Sequence, residues 1–231
     1  VSANNKELAS DSVEGDSGAN IDYSTANKIQ EFVDKGYKLV EDGFTKATAD
    51  EKKYDNDASV DQEFTVKLEH DKVPVGPNDP HNPTDPINPN DPNSPNYPAK
   101  DQWKKDVTST VHYVGAGAQT PPDNVQNAQW TRTLELDKVT GEILNPNEPW
   151  VANKTDYASV PTPNVTGYYA DKASVPTKTV TQDNLEETVT YKPLGNLVPK
   201  PETPNDPNFP STPGVKYPND PTDPTKPGQP V

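Results

Sequence analysis

The stretch VPVGPNDPHNPTDPINPNDPNSPNYP, Val73 to Pro98, decides how this chain is read. Its nine prolines, Pro74, Pro77, Pro80, Pro83, Pro86, Pro89, Pro92, Pro95 and Pro98, recur at every third residue. Polyproline II has three residues per turn, so this spacing predicts rings stacked along one edge of an extended rod. At ~3.1 Å per residue the rod would span roughly 75 to 80 Å. The period returns at Pro201, Pro204, Pro207, Pro210 and Pro213, then at Pro218, Pro221, Pro224, Pro227 and Pro230. Asn-Asp-Pro recurs at Asn78, Asn90, Asn205 and Asn219, so the two segments read as copies of one spacer. Phased Pro-x-x-Pro is also what SH3 and WW domains recognise, but the first segment carries no Lys or Arg between Pro74 and Pro98 to support that reading. Rods hold folded pieces apart, which suits a chain reaching out from a surface better than a compact enzyme.

The expected division is therefore a folded segment over 1–72, a rod over 73–98, a second folded segment over 99–195 and a further linker over 196–231. Only 29% of the 231 residues are hydrophobic, and the mean hydropathy is -1.00. Each folded segment is near the lower size limit for independent folding. A net charge of -15 disfavours nucleic acid and anionic membranes, which bind through Lys and Arg. The absence of cysteine excludes disulfides, thiolate metal sites and cysteine nucleophiles. No apolar run approaches the ~18 residues of a membrane span. Without a methionine, the chain reads as a piece of something longer.

Between the linkers the pattern is α+β and rich in β. Ser24 is placed to cap a helix that sets Ala26, Ile29, Phe32 and Val33 on one face, with Gly36 at its end. Tyr37 and Leu39 suggest a strand, and Phe64, Val66 and Leu68 alternate with polar residues as a second. After residue 99, Asp106 to Val114 alternates with Val107, Val111 and Tyr113 on one face. Trp130, Arg132, Leu134 and Leu136 read as one strand. Asp137-Lys138-Val139-Thr140-Gly141-Glu142 supplies the turn of a hairpin. A last strand runs through Leu185, Glu187, Val189 and Tyr191.

Catalytic parts are missing. His70, His81 and His112 are the only histidines, and they form no Ser/His/Asp set or metal-ligand spacing. Asp55, Asp57 and Asp61, with Ser59, alternate like the start of an oxygen-ligand loop for Ca2+. The EF-hand pattern then fails at Val60 and Val66, which leaves a looser calcium site or a hydrated acidic loop. Trp130 and Trp150 read as core. Trp103, Tyr168 and Tyr169 are the aromatics available for a ligand, because neighbouring residues on a strand face opposite ways.

Trp130-Thr131-Arg132, the turn at Asp137–Glu142, Trp150, Pro163-Asn164-Val165-Thr166-Gly167-Tyr168 and Val189-Thr190-Tyr191 follow one another at set intervals. With His112-Tyr113-Val114 ahead of them, they resemble the second half of a mucus-binding repeat from cell-surface adhesins of lactobacilli. Gly18-Ala19-Asn20-Ile21-Asp22-Tyr23, Gly36-Tyr37 and Tyr54-Asp55-Asn56-Asp57 resemble its first half. The resemblance implies two ubiquitin-like β-grasp subdomains, here joined by the polyproline II linker, with the first expected to lack its N-terminal strand. It implies a non-enzyme that binds mucin glycoproteins weakly and repeatedly, on a wall-anchored protein at a bacterial surface. Some members bind immunoglobulins, so a protein-binding module working through a sheet edge is the alternative, and a passive stalk the third reading. No cofactor is expected beyond the calcium alternative, and the repeat is expected to be monomeric within its tandem chain.

Overall fold

The computed structural model describes residues 6–57, 59–196 and 217–228. In chain order its elements are α1 (Ala26–Asp34), β1 (Tyr37–Asp42), α2 (Gly43–Lys46), β2 (Val66–His70), β3 (Lys72–Val75), β4 (Lys104–Val114), β5 (Asn124–Thr131), β6 (Leu134–Asp137), β7 (Val151–Ala152), β8 (Asp156–Tyr157), β9 (Val160–Pro161), β10 (Tyr168–Ala170), β11 (Ser174–Val175), β12 (Lys178–Thr179) and β13 (Leu185–Pro193). Two compact units result. One joins the residues up to Lys104 with Thr131–Trp150, and the other joins Lys105–Trp130 with the residues from Val151 on. The grouping differs from a division at residue 98, because the hairpin after Thr131 belongs with the first unit.

In the first unit α1 packs a half-buried face of Ile29, Phe32 and Val33, and Phe32 meets Tyr37 edge to face at 5.6 Å. Gly36 ends the helix with φ +92°, a conformation that glycine alone adopts without strain. β1 and β2 pair antiparallel, and the bulge at Val40 breaks their register. Among the described residues no strand precedes Tyr37. Phe44 is buried between Tyr23 and Phe64, at centroid distances of 5.7 and 5.1 Å. β3 then pairs antiparallel with β6 from Lys72↔Asp137 to Val75↔Leu134. The turn after β6 closes as its sequence requires, with the Asp137 N–H donating to Glu142 O at 2.9 Å.

The first proline-rich segment is not a rod. Pro74 lies in β3, and beyond Gly76 the chain doubles back. The Ile87 N–H donates to Pro95 O at 2.8 Å, and the Tyr97 N–H to Asp85 O at 3.1 Å. Pro86 and Asn96 are bridge partners. Polyproline II has no internal hydrogen bonds, whereas this segment is full of them. The residues between the prolines explain the difference. Asp85 Oδ2 accepts the Asn82 N–H at 2.8 Å and Asp91 Oδ1 the Asn93 N–H at 3.0 Å, turns that compete with an extended chain. Ile87 and Tyr97 then bury against Val75, Trp103, Leu134 and Leu136 in one core cluster.

Trp130 to Leu136 is likewise two strands rather than one. Arg132 breaks the run: its Nε donates to Gln102 O at 2.7 Å and its Nη1 to Pro146 O at 2.9 Å. Its guanidinium lies 4.7 Å from the Trp150 ring centroid. Leu134 and Leu136 therefore enter the first unit's core, while Trp130 packs with Val107, Ala128, Tyr157 and Val180 in the second.

The second unit is built on a five-stranded sheet in the order β10-β13-β4-β5-β7. β13 runs parallel to β4, Leu185↔Ser109 through Thr190↔Val114. Ribbons β9–β11 and β8–β12 complete it. Val111, Tyr113, Val189 and Tyr191 project from β4 and β13 into a cluster with Val160, Val165, Ala170 and Val175. Tyr191 donates its OH to Pro163 O at 2.7 Å, and burial, aided by neighbouring Tyr113, pushes its pKa up to about 12.

Candidate functional site

The three aromatics set aside for a ligand part company. Trp103 is buried, 3% exposed, between the proline-rich hairpin and β6. It is core, and the reading of it as a contact residue is corrected: its partners come from segments that local periodicity does not join to it. Tyr168 and Tyr169 lie side by side on β10 and are both half-buried. Tyr168 packs against the core cluster. Tyr169 takes the opposite face, across from Lys192 of β13.

That face carries a consistent chemistry. β13 presents Lys192, Thr190, Thr188 and Glu186 on it, alternating with buried Tyr191 and Val189. β4 presents Val114, His112 and Thr110, alternating with buried Tyr113 and Val111. Register places Thr190 beside Val114 and Thr188 beside His112 on adjacent strands about 4.8 Å apart. His112 bonds through Nδ1 to Asp123 Oδ2 at 2.7 Å, which fixes its ring. Short hydroxyls, an imidazole, an ammonium group, a carboxylate and one phenol thus lie on one sheet face. This is a surface for hydrogen bonding and ring contact. The alternation of β4 and β13 carried the signal, but the neighbours across strands are visible only once β13 pairs with β4.

The acidic loop does not form a cation cage. Asp57 accepts the Ser59 N–H at 3.0 Å, and Asp55 accepts the Asp57 N–H at 3.0 Å. These carboxylates serve their own turn instead of converging. No group of three or more His, Cys, Asp or Glu among the described residues is arranged to hold a metal ion, and Asp55 and Asp57 are engaged in the hydrogen bonds of their own loop. The other histidines are also structural. His70 Nδ1 lies 2.7 Å from Asp137 Oδ2, and His81 stacks on Tyr97 with centroids 3.8 Å apart. A separate cleft of about 400 Å3 in the first unit is lined by Lys72, Thr133, Glu135, Asn145 and Glu148 among others. No aromatic among the described residues lines it, and Lys72 is tied to Glu135 at 2.7 Å.

Comparison with known proteins identifies the family. The mucin binding domain family matches residues 2–70, and the Muc B2-like domain family matches residues 98–195. The chain belongs to the mucus-binding repeats. This is an adhesin family and not an enzyme family. The repeat is similar to the crystal structure of Mub-RV, with 27% identity and a TM-score of 0.51, over 80% of this chain and 89% of that one. It also matches the type 2 repeat of the mucus binding protein MUB from Lactobacillus reuteri, with 28% identity and a TM-score of 0.47, over 82% and 93%. The mucin-binding domain of Spr1345 from Streptococcus pneumoniae matches 39% of the repeat and 92% of its own length, with 27% identity and a TM-score of 0.33. A search of the curated proteins finds no match. No helix among the described residues is long and apolar enough to cross a membrane.

Proposed function

We propose that this mucus-binding repeat engages the glycans of mucin glycoproteins through the open face of its second unit. The observation that carries the proposal is that face itself, where Tyr169, Lys192, Thr190, Thr188 and His112 lie across three adjacent strands. Sugars are held by ring faces and by hydrogen-bonding side chains, and this surface offers both. An open sheet gives little enclosure, so single contacts are weak and strength comes from many copies acting together. The setting is extracellular, on a wall-anchored bacterial surface protein in which the repeat acts as a monomer within a tandem array. The β-grasp reading is supported in the second unit, where first strand β4 and last strand β13 are adjacent and parallel.

The test is binding of the whole chain to immobilised mucin before and after enzymatic removal of its glycans, with immunoglobulin alongside. Loss of binding on deglycosylation is the expected result. Binding that survives, or that is seen with immunoglobulin alone, overturns the glycan reading in favour of a protein contact at a sheet edge. No binding to either leaves a stalk.

A further inference from the structure

The proline-rich segments have an unexpected likeness. Pro86 to Asn96 and Pro218 to Gly228 share the pattern Pro-x-x-Pro-x-Asp-Pro-x-x-Pro in the same phase, and they close in the same way. In the first, Asp91 Oδ1 accepts the Asn93 N–H at 3.0 Å, and the Ser94 N–H donates to Asp91 O at 3.1 Å. In the second, Asp223 Oδ1 accepts the Thr225 N–H at 3.0 Å, and the Lys226 N–H donates to Asp223 O at 3.2 Å. Each is drawn shut by a cross-chain bridge, Pro86↔Asn96 in one and Asn219↔Pro227 in the other. Hydrogen bonds from Lys226 and from Thr225 hold the Asp223 carboxyl down to about 2.

Both hairpins plug into a folded unit. The first inserts Ile87 into a core, and buried Asn88 donates through Nδ2 to Lys138 O at 2.6 Å. The second meets the outer edge of β10. Asn219 there is saturated: its Nδ2 donates to Val165 O at 2.9 Å and to Tyr168 O at 2.7 Å, and its Oδ1 accepts the Gly167 N–H at 2.9 Å. The Ala170 N–H, which points away from β13, donates to Pro224 O at 2.8 Å. Asn164 Nδ2 reaches Pro221 O at 3.4 Å, and the Tyr217 N–H reaches Gly195 O at 3.1 Å. Two carbonyls and one amide around a single side chain require a group that donates and accepts at once, which asparagine does and aspartate cannot.

We propose that the Val165–Ala170 edge of the second unit is a docking site for an Asp-closed proline hairpin, and that residues 218–228 are its occupant rather than part of a free spacer. The hairpin covers the unpaired edge of β10, which would otherwise be open to pairing with another chain. It also anchors the proline-rich segment to the unit it follows, so this length of chain adds a cap and not reach.

Amide hydrogen exchange on the full 231-residue chain tests this. The Gly167 and Ala170 amides are expected to be protected in the wild type. They should exchange at least about tenfold faster in Asn219→Asp, which sets a carboxylate against two carbonyls, and in Asp223→Ala, which opens the hairpin without touching the docking site. Asn90→Ala, an exposed asparagine of another Asn-Asp-Pro, should leave both amides unchanged. The amides of Val111 and Val189 report on the sheet itself. If they stay protected while Gly167 and Ala170 speed up, the hairpin is a separable cap; if all four speed up together, it is docked as an integral part of the unit. Equal exchange at Gly167 and Ala170 in wild type and both variants, or no protection in the wild type, overturns the proposal.

Discussion

Trp103 lies outside any patterned strand, yet it is 3% exposed, and its indole Nε1 finds no hydrogen-bond partner among the described residues. Removing the side chain leaves a cavity, so Trp103→Ala should cost about 3–5 kcal/mol in urea unfolding. Trp103→Phe keeps most of the volume and deletes an unpaired donor, so it should cost clearly less. Tyr169 predicts the opposite profile. Tyr169→Ala should cost clearly less in unfolding than Trp103→Ala, because Tyr169 is only half-buried. Loss of one aromatic contact, about 0.5–1.5 kcal/mol, would weaken mucin binding roughly two- to tenfold. An unchanged affinity on the mucin surface would remove Tyr169 from the site. The choice between Tyr168 and Tyr169 could be posed from sequence, since neighbours on a strand face opposite ways, but only pairing with β13 assigned the faces.

Among the elements, those governed by local chemistry were legible. The helix ends at Gly36, the turn after Asp137 closes through its own side chain, and β4 and β13 alternate as read. The proline-rich segment was not, because the period of three describes the prolines alone. Its fold is set by what lies between them, Asp and Asn for turns and Ile87 and Tyr97 for anchors. Ile87→Ala discriminates the two descriptions. A docked hairpin loses about 2–5 kcal/mol of stability, seen as a lower urea midpoint, whereas a solvated rod loses nothing. The break at Arg132 was hidden for a similar reason, since the carbonyls that hold its guanidinium come from Gln102 and Pro146, distant in the chain.

For the molecule as a whole, acid stability turns on carboxylates that have acquired partners. Asp137 is an example. Burial pushes its pKa up, but the hydrogen bond from His70 and the Thr140 and Val139 amides outweigh this and leave it below the ordinary 3.8. A depressed carboxylate pKa contributes stability that is fully present above the unfolded value and is lost as pH falls through the folded one. Asp137→Asn should therefore be destabilised relative to wild type at pH 7. The gap should close as pH is lowered below about 3.8, and parallel pH–stability curves for the two proteins would exclude this linkage. The proposed glycan recognition belongs to the same scale, because weak contacts would gain strength from the number of repeats engaged together.

The parallel pairing of β4 with β13 sets how the second unit answers a pull. The beginning of β4 and the end of β13 lie at opposite ends of one ladder, Ser109↔Leu185 through Val114↔Thr190. Tension between these points loads the ladder in shear, so its bonds share the force and must fail together. An antiparallel pair drawn from its open end gives way one bond at a time. For a repeat held to mucus under flow, the quantity that matters is then the rate of forced unfolding rather than equilibrium stability. The strand order that builds the proposed binding face would also make it a tether.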